Sequence, residues 1–224
     1  MAGWKIFHES KPNKSHQAIA LLEQHGYIKF LITQNVDRLH QKAGSISVCD
    51  LHGRNDKVCC QSCGGLSNRR ILHKQIEIMN KDACVALEKF TDKNYLRADG
   101  DAEIENVIDM NSFKIPTCFV CGGTLKPDVT FFGDNVPVDK VNFCFDKVNK
   151  SDGLLVIGTS LEVYSAFRFV TRAIQRNIPI AVINKGQTRL DRTDPSKIAL
   201  RIDENSSIVL QKAFSHLEQG SYQL

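Results

Sequence analysis

The chain has 224 residues, eight of them cysteines, and a formal net charge of +4 at pH 7. This length is sufficient for one substantial hydrophobic core with a smaller module attached. The mild positive charge does not by itself indicate nucleic-acid binding, and no apolar run in the sequence approaches the roughly 20 residues of a membrane helix. The first ten residues match neither a secretory signal nor a transit peptide. The few, clustered cysteines favour a metal site in a reducing compartment over a disulfide framework.

The first predicted elements are a helix and two short strands. Asn13 or Ser15 can cap the helix, and Gly26 is a suitable residue to end it. Apolar residues at 27–32 and 47–51 predict the strands.

Polar side chains follow these two strands directly. Gln34, Asn35 and Asp37 come after the first strand, and His52 follows the second. Ligands of open α/β sheets bind at strand ends and in the loops behind them. An amide, a carboxylate and an imidazole around one short apolar segment therefore predict a shared pocket. Taken singly, these residues are equally well explained as a turn Asn, a surface Asp and a core His.

Residues 53–126 show no sustained β pattern and contain two matched cysteine pairs, Cys60-x₂-Cys63 and Cys118-x₂-Cys121, each followed by two glycines. Four thiolates at about 2.3 Å form a closed tetrahedral zinc site. Such a zinc ion is structural, because no position remains for water. We therefore predict a zinc-binding module over this segment.

Some alternatives stay open for the cysteines. Cys59 offers an x₃ spacing to Cys63, although the x₂ spacing is preferred because it matches the second pair. A redox dithiol is the other alternative. A zinc-ribbon module that binds nucleic acid would need a basic face with stacking aromatics. The 11 basic and 10 acidic residues between positions 53 and 126 argue against that function.

Regular structure resumes after Pro127. An apolar run at 153–157 is typical of a strand buried on both faces of a parallel sheet. It leads into a helix at 165–177 and a second apolar strand at 178–183, which together predict a βαβ unit. A further strand at 129–132 and a last helix at 207–219 complete the predicted elements.

The turns after these two buried strands are candidate nucleotide contacts. Gly158, Thr159 and Ser160 offer close approach, two hydroxyls and the amides of a helix start, which suit a phosphate or a ribose. Asn184 follows the next strand and can bond a ribose hydroxyl. Each signal is weak alone, and the dinucleotide fingerprint G-x-G-x-x-G does not occur in the sequence.

Taken in order and spacing, these motifs resemble the sirtuin family over nearly the whole chain. The finer details are most similar to the mitochondrial class II, sirtuin-four type. The resemblance implies an α/β fold, a Rossmann-like parallel sheet formed by residues 1–52 and 127–224 with the zinc-ribbon module of residues 53–126 inserted. The motifs are Thr33-Gln-Asn-Val-Asp37, Leu51-His-Gly53, the two cysteine pairs, Lys126-Pro-Asp-Val-Thr-Phe-Phe-Gly-Asp134, Gly158-Thr-Ser160 and Ile183-Asn184.

The resemblance also implies roles for individual residues. His52 is expected to be the general base, Asn35 to orient the nicotinamide ribose and Asp37 to hold the nicotinamide carboxamide. The other residues expected to contact NAD are Gln34, Val36, Gly158, Thr159, Ser160, Asn184, Lys185, Gly186 and Ser206, the last standing where the family usually has a cysteine. Those expected to flank the acyl-lysine are Val129, Phe131, Gly133 and Val163, and those expected to bind zinc are Cys60, Cys63, Cys118 and Cys121.

The activity implied is NAD-dependent protein-lysine deacylation, which yields free lysine, nicotinamide and 2′-O-acyl-ADP-ribose. Mono-ADP-ribosylation from the same site is the alternative, and a catalytically silent fragment that binds NAD or a partner is a third. The expected partners are acyl-lysine proteins, with no direct nucleic acid and no membrane, in the mitochondrial matrix. The family's N-terminal strand and its Gly-Ala-Gly-Ile-Ser-type loop have no counterpart here, so we expect the chain as written to be weakly active or inactive.

Overall fold

The computed structural model describes residues 2–89, 109 and 111–220. Over these residues, no helix combines the length and apolar character needed to cross a membrane. The helices are α1 (Ala2–Glu9), α2 (Lys14–Gln24), α3 (Leu39–Lys42), α4 (Arg69–Met79), α5 (Lys81–Lys89), α6 (Val138–Asn149), α7 (Tyr164–Gln175), α8 (Arg189–Thr193) and α9 (Ser206–Gly220). The strands are β1 (Leu31–Thr33), β2 (Val48–Asp50), β3 (Gly53–Cys60), β4 (Leu66–Asn68), β5 (Leu125–Val129), β6 (Leu154–Ile157), β7 (Ile180–Ile183) and β8 (Ile198–Ile202).

The chain forms two compact units. The first comprises Met1–Ser10, Val36–Arg38 and Gly53–Thr130, and the second comprises the remaining residues up to Leu224. The predicted division into residues 53–126 and the rest stays a prediction, and each unit is described by itself.

An antiparallel sheet of order β4-β3-β5 organises the first unit. The expectation of no sustained β structure after Gly53 is wrong, because β3 runs for eight residues. Most of its positions are only half-buried, so an alternating apolar pattern is missing from its sequence. The prediction of a strand at 129–132 is also wrong, since β5 ends at Val129. Its Pro127 pairs with Val58 at the edge of the sheet, a position where a strand tolerates proline.

The second unit contains the predicted parallel sheet. Strands β6, β7 and β8 pair in parallel in that order, and β1 pairs with β2 in parallel. The βαβ unit predicted around α7 is confirmed. The strand expected from position 27 begins only at Leu31. The prediction that the apolar run at 153–157 is buried on both faces is wrong, because Leu155 is 41% exposed. Strand β8, which contains Arg201 and is mostly half-buried or exposed, was not predicted.

Two hydrophobic clusters hold the second unit together. The larger packs α6 and α7 against the sheet, with Val156, Val182 and Leu51 among its buried members. The smaller joins α2 to α9 through residues such as Leu22 and Leu210. Removing each large apolar side chain from water contributes about 1.5–3 kcal/mol, so these clusters fix the strands whose ends carry the polar residues discussed below.

Gly53 generates a prediction about stability, because a side chain there would meet the backbone of β5. The residue has a φ of +85°, and a Cβ placed there would lie 2.1 Å from the carbonyl oxygen of Asp128. We expect Gly53→Ala to destabilise the zinc-loaded protein by about 3 kcal/mol or more, because backbone strain adds to overpacking. Chemical denaturation of the purified protein measures this change.

Gly64 provides the matched control. It has a φ of +69°, but no described heavy atom lies within 4 Å of a Cβ placed there. Gly64→Ala should therefore show only the left-handed strain of about 1–2 kcal/mol. Equal losses for the two variants would contradict the close contact with Asp128.

Candidate active site and zinc module

Four cysteine thiols meet in the first unit. The sulfurs of Cys60, Cys63, Cys118 and Cys121 all lie within 4.8 Å of one another. The Cys60–Cys121 and Cys63–Cys118 sulfur pairs are 3.5 and 3.9 Å apart. Sulfurs at tetrahedral positions about 2.3 Å from one zinc ion would be about 3.8 Å apart. The four predicted thiols therefore fit one structural zinc ion.

The two cysteine pairs have the same backbone geometry. Gly64 N–H donates to the Cys60 carbonyl at 3.0 Å, and Gly122 N–H donates to the Cys118 carbonyl at 2.8 Å. Amide N–H groups of Cys63 and Ser62 lower the pKa of the Cys60 thiol to about 6. Thiolate is the form that binds a metal, so these amides favour that form at Cys60. At Cys121 the Gly123 amide acts in the same direction, but the neighbouring thiols of Cys60 and Cys63 outweigh it and raise the pKa of Cys121.

Cys59 lies beside this cluster and not within it. Its thiol contacts the carbonyl oxygens of Cys60 and Gly64 at 3.6 and 3.7 Å, and burial is the main reason that its pKa is raised. These contacts favour the x₂ spacing over the alternative spacing that begins at Cys59.

His52 is the centre of the polar cluster in the second unit. Its Nδ1 lies 3.2 Å from the carbonyl oxygen of Gln34, and its Nε2 lies 2.7 Å from the hydroxyl of Ser165. The residue directly follows Leu51, which is fully buried and whose N–H donates to the Thr33 carbonyl at 2.9 Å. The parallel pairing of β1 and β2 thus places His52 beside the residue that follows β1.

The surroundings of His52 favour its neutral form. Burial is the main cause that lowers the pKa of the imidazole. The hydrogen bond to Gln34 acts in the opposite direction, and the positive charge of Lys140 lowers the pKa further. Lys140 is held close by a 2.8 Å hydrogen bond from its Nζ to the Asp50 carbonyl. A neutral imidazole at physiological pH can accept a proton, which is what a general base requires.

The loop after β6 reaches the same cluster. The side-chain amide of Gln34 donates to the Thr159 hydroxyl at 3.0 Å, and that hydroxyl also accepts from Leu161 N–H at 3.1 Å. The Ser160 carbonyl accepts from Arg189 N–H at 2.7 Å. Of the predicted residues, the second unit therefore brings Gln34, His52 and Thr159 together.

The loop after β7 is held by a guanidinium. Arg201 donates to the carbonyl oxygens of Asn184, Ile202 and Gly186 at 2.9, 2.8 and 2.6 Å. Its Nε donates to Asp191 at 2.9 Å. The loop carrying Asn184, Lys185 and Gly186 is thus tied to β8 by one side chain.

Asp191 completes this network. Burial raises its pKa, but hydrogen bonds from Thr188 and the ion pair with Arg201 lower it below the usual range overall. Both the N–H and the hydroxyl of Thr188 donate to it at 2.7 Å. The carboxylate is therefore charged at neutral pH and anchors Arg201.

The other predicted site residues are placed as follows. Asn35 is exposed, and its N–H donates to the Thr33 hydroxyl at 3.2 Å. The Asn184 amide donates to the Lys185 and Gly186 carbonyls, and the Ser206 hydroxyl lies 3.0 Å from that of Ser15.

The predicted acyl-lysine contacts fall in both units. Phe131 and Val163 are 48% and 43% exposed in the second unit, to which Gly133 also belongs. Val129 belongs to the first unit. Two residues expected to contact NAD, Val36 and Asp37, also belong to it.

Sequence reasoning missed Ser165, Lys140, Asp191 and Arg201. Ser165 begins the helix predicted at 165–177, but nothing in the sequence connects it with His52, 113 residues away. Arg201 stands alone among apolar residues of β8, and no pattern distinguishes it from a surface arginine.

Fold and site together define a Rossmann-like protein with an inserted four-cysteine zinc module. The model of the Sir2 family matches residues 2–165. The chain therefore belongs to the Sir2 family, the sirtuins, whose members use NAD.

Curated relatives give the same assignment. The chain is 44% identical over 210 residues to "NAD-dependent protein deacetylase 2" of Bradyrhizobium diazoefficiens, covering 94% of this chain and 73% of that protein. It is 41% identical over 202 residues to "NAD-dependent protein lipoamidase sirtuin-4, mitochondrial" of Homo sapiens, covering 90% of this chain. The chain spans 62% of the length of that human relative.

Solved structures have the same fold. "Structure of Sir2Tm bound to a propionylated peptide" matches with a TM-score of 0.72 at 25% identity, over 96% of this chain and 73% of the other. "Sir2-p53 peptide-NAD+" matches with a TM-score of 0.72 at 25% identity, over 97% of this chain and 73% of the other.

The zinc module yields a prediction that separates the two ligand spacings. We expect the wild-type chain to carry one zinc ion and Cys60→Ala to lose it, with a lower melting temperature, because a structural zinc ion contributes directly to folding. Cys59→Ala should keep the ion. Metal content by mass spectrometry and thermal melting measure both effects, and zinc loss from Cys59→Ala with retention in Cys60→Ala would show that the x₃ spacing is the correct one.

Proposed function

We propose that this chain is an NAD-dependent protein-lysine deacylase, which transfers the acyl group from lysine to ADP-ribose and releases nicotinamide. The observation that carries the proposal is the placement of His52, which is hydrogen-bonded through both ring nitrogens and joined through Gln34 to the loop after β6. Family membership and the names of the relatives support the same reaction.

The chain's own residues have separable tasks in this reaction. NAD, when bound, supplies an ADP-ribosyl group with nicotinamide as its leaving group. Gly158, Thr159 and Ser160 offer hydroxyls and backbone amides for its phosphates and ribose. His52 accepts a proton from a ribose hydroxyl at Nε2, because Nδ1 already donates to Gln34.

The remaining roles follow the family resemblance. Asn35 orients the nicotinamide ribose, and Asp37 holds the carboxamide. Asn184 contacts a ribose hydroxyl from the loop after β7. Phe131 and Val163 flank the acyl-lysine and are exposed enough to receive it.

We also propose that the chain is of the sirtuin-four type and acts in mitochondria. The sequence motifs and the 41% identity to the human enzyme support this type, while a bacterial relative reaches 44%. Since the human relative is named as a lipoamidase, lipoyl-lysine belongs in the substrate panel. Subcellular fractionation of a tagged chain in its native cells tests the location.

Replacing the proposed base provides the central test. We expect His52→Gln to reduce nicotinamide release by roughly 10²–10⁴-fold, because it removes general-base catalysis. The assay contains NAD and peptides carrying acetyl-, propionyl-, glutaryl- or lipoyl-lysine. His25→Gln is the matched control, since His25 is an exposed residue whose Nδ1 bonds the Leu21 carbonyl and whose ring packs edge-on against Phe214.

Mass spectrometry of the products separates the outcomes of this assay. A peptide that loses its acyl group supports deacylation, whereas ADP-ribose attached to protein supports mono-ADP-ribosylation. Wild-type turnover that His52→Gln leaves unchanged would rule out His52 as the base. No turnover of any peptide by the wild-type chain would leave a binding role as the better account.

The loop after β7 generates a separate prediction for NAD affinity. We expect Arg201→Met to raise the KM for NAD roughly 10-fold, because charge-assisted hydrogen bonds of this kind contribute about 1.5 kcal/mol or more. The KM for peptide should change little. Arg176→Met, at an exposed arginine after α7, is the control, and an equal effect from the two variants would refute a specific role for Arg201.

A further inference from the structure

Both ring nitrogens of His52 have partners, and the partners fix where the ring proton sits. Nδ1 faces the Gln34 carbonyl oxygen at 3.2 Å. A carbonyl oxygen only accepts hydrogen bonds, so Nδ1 must carry the proton. In the neutral imidazole, Nε2 then has a lone pair and accepts from the Ser165 hydroxyl, 2.7 Å away.

In this direction, from the Ser165 hydroxyl to Nε2, the hydrogen bond requires a neutral imidazole. If Nε2 took up a proton, it would become a donor, and the Ser165 hydroxyl would have to turn and accept. A donor aimed at the lone pair stabilises the neutral form relative to the charged one. Ser165 thus acts on the same nitrogen that the proposed reaction uses.

The position of Ser165 in α7 allows it to give way. It is the second residue of the helix, whose cap residue Val163 makes no side-chain capping bond. Ser165 is half-buried, and rotation about χ1 moves its hydroxyl without disturbing the backbone. A substrate hydroxyl can therefore replace it as the partner of Nε2.

We propose that Ser165 is a positioning residue for His52, which holds the imidazole in its Nδ1–H tautomer and keeps Nε2 unprotonated until the substrate hydroxyl takes its place. The inference rests on the proposed function of His52 as the base. Ser165 acts through His52 and is assigned no contact with NAD or peptide.

The groups around His52 come from three elements. Directly after β1, the Gln34 carbonyl accepts the Nδ1 proton and favours the charged form. From α6, the positive charge of Lys140 disfavours the charged form. From α7, the uncharged Ser165 hydroxyl favours the neutral form while it donates to Nε2. Removing Ser165 should therefore raise the pKa of His52, since Lys140 and burial remain.

The direct test is nitrogen NMR of protein labelled at histidine with ¹⁵N. The His52 signals are assigned as those missing from His52→Gln. In the wild type we expect the Nδ1–H tautomer with a pKa below the ordinary histidine value. Ser165→Ala should raise that pKa, whereas Ser165→Thr, which keeps the hydroxyl, should restore it. Ser151→Ala removes a hydroxyl that bonds the Val148 carbonyl elsewhere in the same unit and should change neither.

Kinetics add a readout that a merely structural role would not give. The profile of kcat/KM against pH reports the free enzyme, and that of kcat reports the bound complex. Ser165→Ala should move the acidic limb of kcat/KM to higher pH, with a loss of roughly 2- to 12-fold at acidic pH and little loss at alkaline pH. The acidic limb of kcat should move less, because the substrate hydroxyl has already replaced Ser165.

Each outcome decides a different point. An Nε2–H tautomer in the wild type, or an unchanged pKa in Ser165→Ala, overturns the proposal. So does a loss of kcat/KM that is uniform across pH, which indicates a structural role. Absence of wild-type turnover counts against the proposed function alone, since the NMR measurement still decides the role of Ser165.

Discussion

The parallel pairing of β1 with β2 is the constraint on which the candidate site depends. It ends with the N–H of the fully buried Leu51 donating to the Thr33 carbonyl. Because both strands end at the same edge, the residues that follow them, Gln34 and His52, meet side by side. A register slip of one residue would turn His52 to the opposite face. Burial of Leu51 prevents that slip, so a hydrophobic side chain fixes the position of the proposed base.

The sequence was most informative where a function needs several residues close together in the chain. Cys60 and Cys63 occur within four positions, and so do Cys118 and Cys121, so the spacing alone predicted their cluster. The strand–helix–strand unit around α7 was also predicted, because buried parallel strands are continuous apolar runs.

Elements whose identity depends on tertiary neighbours were missed. Strand β3 lacks apolar alternation, since neighbouring strands and not one hydrophobic face hold it in place. The sequence pattern places Pro127 before the next strand, although the residue lies within β5. At the outer edge of the sheet its missing N–H costs no hydrogen bond. Ser165 and Arg201 act across long sequence separations, which no local pattern records.

The two loops at the ends of β6 and β7 are stabilised in different ways. A side-chain hydroxyl, that of Thr159, joins the first loop to Gln34 and so to the strand that precedes His52. The second loop depends on Arg201, and the segment that follows it is joined to the first loop by the hydrogen bond from Arg189 N–H to the Ser160 carbonyl. A change in one loop can therefore reach the other through this bond.

Arg201 also decides when the loop of Asn184 to Gly186 loses its conformational freedom. The guanidinium bonds two carbonyls of that loop, so contacts within the protein hold its backbone. Ordering a flexible loop on binding would weaken affinity by the entropy that the loop then loses. A loop held in this way avoids that loss, so a ligand that bound there would meet a surface whose shape is already set.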